Sequence, residues 1–329
     1  MSIKHISLLI ITMGFSMSAC GKTNSLEPIA VTEKYEFYSN FWINQHHFLY
    51  AKASSAAKGN WDDGFTENEL DKLSVGEAQI LKDGITFYRD SVISYSLTFN
   101  RGLTILKRTL INFDEDDVFE MDDFHDELVE HLNKVKPVYR KYFWGEHNRS
   151  NLEVVDNHLE FITTHESEIF DRISGLAQQP WREEKIRVDV TYYANWAGAY
   201  TSNNPQVHVT ITSQDDGKGD WQELIFHEPS HSIMSSRSFK AAELISKVSE
   251  QLGVEPPESL WHALLFYFSG VSVQEAFKKE GVEYELYMVR YNVFDEYHPV
   301  IFKYMPDYVQ GDTSFEEALK KVIAEYEQY

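Results

Sequence analysis

The sequence predicts a helix-rich α+β fold, and three observations carry that expectation. Apolar residues recur at three- and four-residue steps through much of residues 77–176, the period of an amphipathic helix. Two short stretches after residue 185 alternate apolar and polar side chains, the period of a strand. A nearly unbroken apolar run at 260–268 reads as a helix buried on all sides. At 43% hydrophobic and 14% aromatic residues, the 329-residue chain can bury a sizeable core. The balance of 30 basic against 52 acidic side chains argues against nucleic acid, and against anionic lipid, as a partner of the folded body.

Taken in order, residues 1–19 read as a signal peptide. Lys4 supplies a positive start, and Ile6–Phe15 form an apolar segment too short to span a bilayer. Met17-Ser18-Ala19 then run into Cys20, the single cysteine. This resembles a bacterial lipobox, which implies acylation of Cys20 and attachment to a membrane through that lipid. Met17 stands where the pattern prefers Leu, and an ordinary secretory signal with a chance Cys is the plainer alternative. Gly21-Lys22, with no Asp after the Cys, fits export to the outer membrane of the cell envelope. Residues 20–34 are polar and read as a tether.

Residues 35–180 read as a helical region. Ile80, Leu81, Ile85, Tyr88, Val92, Tyr95 and Leu97 mark a helix within 77–110, and 122–143 and 154–176 are similar. In the last of these, Glu166, Glu168, Asp171 and Arg172 look solvated. The acidic run Asp114–Asp117 lacks the glycine and spacing of a calcium loop and reads as a solvated turn.

Residues 181–329 change character. Ile186, Val188 and Val190 alternate with Arg187, Asp189 and Thr191, and Val207, Val209 and Ile211 share one face of a second strand. Ala197–Thr201, small and β-tolerant, lies between them, so two or three antiparallel strands are expected. Asp220 with Glu223 reads as a capping arrangement opening a helix, and Ser314 with Glu317 as a capping box opening the last one.

The helix opened at Asp220 carries His227-Glu228-Pro229-Ser230-His231. Two imidazoles four residues apart lie on one helical face and can bind one metal ion. The Glu beside the first can then take a proton from a water that the metal activates. A catalytic zinc site needs a third protein ligand. Met234 and Arg237 exclude a ligand in the same segment at metzincin spacing, leaving His262, Glu243, Glu250, Glu258 and Glu275. His262 is favoured, since an imidazole in an apolar run is costly to bury unless bonded. The plainer reading is a core histidine on a backbone carbonyl, and Glu258 one turn earlier is its partner or its rival as ligand. Pro229 counts against the motif, because an interior proline removes the bond to Ile225.

Leu224–His231 together with Leu260–Tyr267 resemble a group of bacterial exported proteins with a gluzincin-like, HExxH-containing metallopeptidase domain. The likeness covers roughly residues 185–325. It implies a zincin-like domain with a small antiparallel or mixed sheet beside the HExxH helix. It also implies zinc held by His227, His231 and His262, and Glu228 as general base. Two residues depart from the pattern: Pro229, where a small or apolar residue is usual, and Val271, where an acid follows the glycine of the second helix.

The expectation is a lipid-anchored, zinc-dependent metallohydrolase acting on a peptide or another amide, such as a cell-wall stem peptide. The Ala197–Thr201 segment or the strand ending near Thr212 would offer an edge for an extended substrate. Tyr284, Tyr287 or Tyr291 would donate to an oxyanion, with aromatic packing as the plainer role. The rival expectation is a non-catalytic surface lipoprotein that keeps a degenerate scaffold for binding.

Overall fold

The computed structural model describes residues 26–121, 126–181, 185–202, 206–236 and 239–327. The expected signal peptide and Cys20 lie outside the described residues. Among the described residues no helix is long and apolar enough to cross a membrane.

The chain runs β1 (Ala30–Val31), β2 (Tyr35–Tyr38), α1 (Phe41–Ala56), α2 (Glu67–Leu70), α3 (Val75–Ser91), α4 (Arg101–Leu110), α5 (Asp126–Tyr139) and α6 (Gly145–Ala177). It continues through β3 (Ile186–Thr191), β4 (Ala199–Ser202), β5 (His208–Thr212), α7 (Asp220–Ser230), α8 (Lys240–Leu252) and α9 (Leu260–Lys279). The last elements are α10 (Tyr287–Arg290), α11 (His298–Gln310) and α12 (Phe315–Tyr326). This is a helix-rich α+β molecule.

The strands form one mixed sheet in the order β1-β2-β3-β5-β4. β2, β3 and β5 are parallel, and β1 and β4 run antiparallel at the two edges. The antiparallel pairing expected between the two alternating strands is therefore corrected to a parallel one. The stretch read as a tether contributes β1, and the helical region contributes β2, so the sheet draws on both sides of residue 180. The same is true of the core, where Tyr35, Phe37, Ile162 and Phe170 pack with Val188, Ile225 and Phe268.

Alternation gives the sheet two unlike faces. Val188, Val190, Val209 and Ile211 join the core formed with α6, α7 and α9. Arg187, Asp189, His208 and Thr210 share the opposite face. There Lys107 of α4 donates to Thr210 Oγ1 at 3.1 Å, and Tyr200 meets His47 Nε2 of α1 at 2.8 Å. The helical half thus covers a polar face, which the apolar pattern alone does not announce.

Two helix expectations need correction. The segment 77–110 breaks into α3 and α4, and of the apolar residues that marked the helix Ile80 and Tyr95 are exposed. Glu166, read as solvated, is buried. It accepts from Thr32 Oγ1 at 2.6 Å and from the Glu33 amide at 2.8 Å, pinning the chain where it enters the sheet. The run at 260–268 is buried almost throughout as expected, and α9 packs against both α6 and α7. Each apolar side chain buried there contributes about 1.5–3 kcal/mol, which fixes the register of α9 against α7.

Candidate metal centre

α7 begins at Asp220 after Gly219, whose φ of 90° lets the chain turn sharply into the helix. A Cβ at Gly219 would meet the Tyr284 ring at 2.8 Å. The expected Asp220–Glu223 cap is not formed. Asp220 instead binds Arg290 and the Tyr291 hydroxyl, and Glu223 turns toward residues 284–287.

Pro229 lies in the last turn of α7 and does not break it. Its ring removes the amide that would bond the Ile225 carbonyl. The Tyr35 hydroxyl of β2 fills that role, donating to Ile225 O at 2.8 Å. The helix carries His227 and ends at Ser230, and His231 follows as the capping residue with near-helical angles.

His227, His231 and His262 come together, with one ligand nitrogen from each within 4.8 Å of the others. His227 Nε2 and His262 Nε2 face each other at 3.4 Å. Nitrogens bound 2.0–2.1 Å from a tetrahedral zinc ion stand roughly 3.4 Å apart, so this pair has the separation of two ligands. On its far side His227 Nδ1 meets Ser269 Oγ at 3.3 Å, and that hydroxyl itself donates to Leu265 O at 2.9 Å. The Ser269 oxygen is thereby set to accept from Nδ1–H, which leaves Nε2 unprotonated toward the centre. Burial holds His231 down to about 4 and His262 down to about 3, and drives His227 well below its usual range. All three imidazoles are neutral at physiological pH, as metal ligands must be.

Aromatic rings wall the cluster. Phe266, one turn beyond His262, stacks on His227 at 3.8 Å between centroids, and Trp261 lies against His262 at 4.8 Å. Phe294 holds a left-handed φ of 55° with its ring 5.0 Å from His262, a conformation costly for a bulky residue. The other candidate ligands are elsewhere: Glu243, Glu250 and Glu258 are exposed, and Glu275 pairs with Lys278.

Glu228 is buried beside the cluster and accepts from Thr201 Oγ1 of β4 at 2.8 Å. Burial pushes its carboxyl up to about 7, while the Thr201 bond and the Lys107 ammonium act to lower it. β4 is one of the two edge strands of the sheet, and three of its four residues are buried. A cleft of about 280 Å³ is lined by Gly198, Leu224, Trp196 and Tyr287, and neither Glu228 nor the three histidines are among its lining residues. A larger cavity of about 640 Å³ lies between α3, α4 and α5, and none of its lining residues belongs to the cluster.

The three tyrosine hydroxyls differ in their partners, although the Tyr287 and Tyr291 rings pack at 4.6 Å. Tyr284 donates to Glu223 at 2.7 Å and Tyr291 to Asp220 at 2.6 Å. Tyr287 lines the cleft, stacks on Phe266 at 5.9 Å, and feels the Glu228 charge; no protein partner engages its hydroxyl among the described residues. Thr201, Ser269 and Glu223 were not singled out from sequence as site residues. Ser269 had a signal, lying seven residues and two turns beyond His262 on the same face.

Comparison with protein-family models, with curated proteins and with solved structures returns no match.

Proposed function

We propose that the chain is a zinc-dependent hydrolase of peptide or related amide bonds. One observation carries this reading: three imidazoles cluster with their ligand nitrogens within 4.8 Å, one pair of them 3.4 Å apart, beside a buried carboxyl bonded to an edge strand. His227, His231 and His262 would hold the metal. A zinc ion held there supplies Lewis-acid polarisation of a carbonyl and acidification of water. Glu228, pushed up to about 7, is suited to take a proton near neutral pH and return it to the leaving amine. Thr201 holds that carboxyl in place, and the backbone of β4 offers hydrogen bonds to an extended substrate. Tyr287 is the tyrosine whose hydroxyl is free to donate to a developing oxyanion.

The rival reading, a binding protein with a degenerate site, leaned on Pro229 and Val271. Pro229 lends it little support, since Tyr35 satisfies the carbonyl that proline strands. Export and lipid anchoring at Cys20 remain part of the proposal and stand on the first twenty residues alone.

The test is Glu228→Gln in protein purified without added metal, assayed on a mixed quenched-fluorescent peptide library. The variant should keep one zinc per chain and lose turnover by at least about a thousandfold. Equal turnover in the two proteins removes Glu228 from the role of base.

A further inference from the structure

Glu223 is fully buried one helical turn before His227. A carboxyl in such a place is expensive unless it is bonded. Its Oε2 accepts from the Tyr284 hydroxyl at 2.7 Å and from the Tyr287 amide at 2.9 Å, while Oε1 is buried without a hydrogen-bond partner. α9 makes room for it. A Cβ added at Gly270 would stand 3.0 Å from Glu223 Oε1 and 2.9 Å from Leu286 Cγ. One carboxyl therefore joins α7, the bare backbone of α9 and the segment 284–287.

The second of its bonds is the informative one. Tyr287 opens α10, and the first amides of a helix have no partner within it. Glu223 supplies that partner from the motif helix. We propose that Glu223 is a positioning residue, which fixes the backbone of Tyr287 so that its side chain stays in the cleft it lines with Leu224, within reach of the Glu228 charge. The catalytic consequence rests on the hydrolase reading above; the structural tie does not. Burial pushes the carboxyl up to about 7, against the lowering effect of its two donors, so it changes charge near neutrality without losing either acceptor lone pair.

Two measurements decide it. The first is amide hydrogen exchange in the metal-free wild-type protein. The Tyr287 amide should be protected, and Glu223→Leu should speed its exchange roughly tenfold, the loss of one hydrogen bond. Glu223→Gln keeps an acceptor oxygen and should preserve the protection. An unprotected Tyr287 amide in the wild type overturns the proposal without recourse to any variant.

The second is kinetic, with zinc content measured alongside. Tyr287→Phe and Glu223→Leu should each lower kcat by about a hundredfold with KM unchanged. The double variant should be no slower than either single one, and Glu223→Gln should restore most of the rate. Additive losses overturn the positioning role. Loss of zinc or absence of turnover in the wild type strikes the hydrolase reading instead, and the exchange result still stands for or against Glu223.

Discussion

The Tyr35 hydroxyl donates to the Ile225 carbonyl at 2.8 Å, across 190 residues of chain. That carbonyl is the one Pro229 leaves without its helical donor. A side chain of β2, read from sequence as the start of a helical region, thus completes the helix that carries the candidate metal ligands. Tyr35→Phe should leave a buried carbonyl unpaired and cost about 1–3 kcal/mol in urea denaturation. Pro229→Ala in that background restores an amide at the right place and should recover much of the loss. Additivity of the two changes would show that the hydroxyl and the missing amide do not share a task.

Metal binding should be coupled to stability. Titrating zinc into the metal-free protein to 100 times its Kd should stabilise the fold by about 2.7 kcal/mol, read as a rise in Tm that a chelator reverses. Replacing His227, His231 or His262 by Ala should each abolish the rise. A histidine whose loss leaves the rise intact is not a ligand.

Thr201→Val keeps the shape of the side chain and removes the hydroxyl that bonds Glu228. The expected outcome is unchanged zinc content with kcat down roughly tenfold, about one hydrogen bond's worth of alignment. A rise in KM with kcat unchanged would instead place Thr201 in substrate binding.

Acid should destabilise the metal-free fold through histidines outside the cluster. Burial lowers His47 and His208 to about 4 and His147 to about 3, and drives His46 well below its usual range. Each binds its proton near 6.5 when unfolded, so the unfolded chain takes up protons first, and stability should fall as pH drops from about 6.5 toward 4. Glu223 has the opposite sign. Its folded value near 7 lies above the unfolded one, so its contribution is lost as pH rises from about 4.5 to 7. Glu223→Gln should therefore be more stable than the wild type at pH 8, with the advantage shrinking toward pH 5. Denaturation curves at those pH values read this directly.

What was legible in the sequence was whatever depends on local period and spacing. The alternation of Ile186–Thr191 and Val207–Thr212 found two strands, and the four-residue step from His227 to His231 placed two imidazoles on one face. His262 was favoured because an imidazole in an apolar run needs a partner, and in the structure it faces His227. Partners distant in sequence were not legible. Nothing near Pro229 announces Tyr35, and nothing near Glu166 announces Thr32. β3 and β5 pair in parallel because β4 passes outside them to the edge, a choice made by tertiary packing rather than by either strand's pattern. Glu223 looked like a cap because its spacing from Asp220 fits one, but a fully buried carboxyl takes the donors that surround it.

The most direct test of the central claim is anomalous X-ray scattering at the zinc edge, from crystals of protein purified without added metal. The account requires one peak about 2.0–2.1 Å from a nitrogen of each of His227, His231 and His262. A map without that peak, or with the three rings turned from a common point after soaking in zinc, contradicts it.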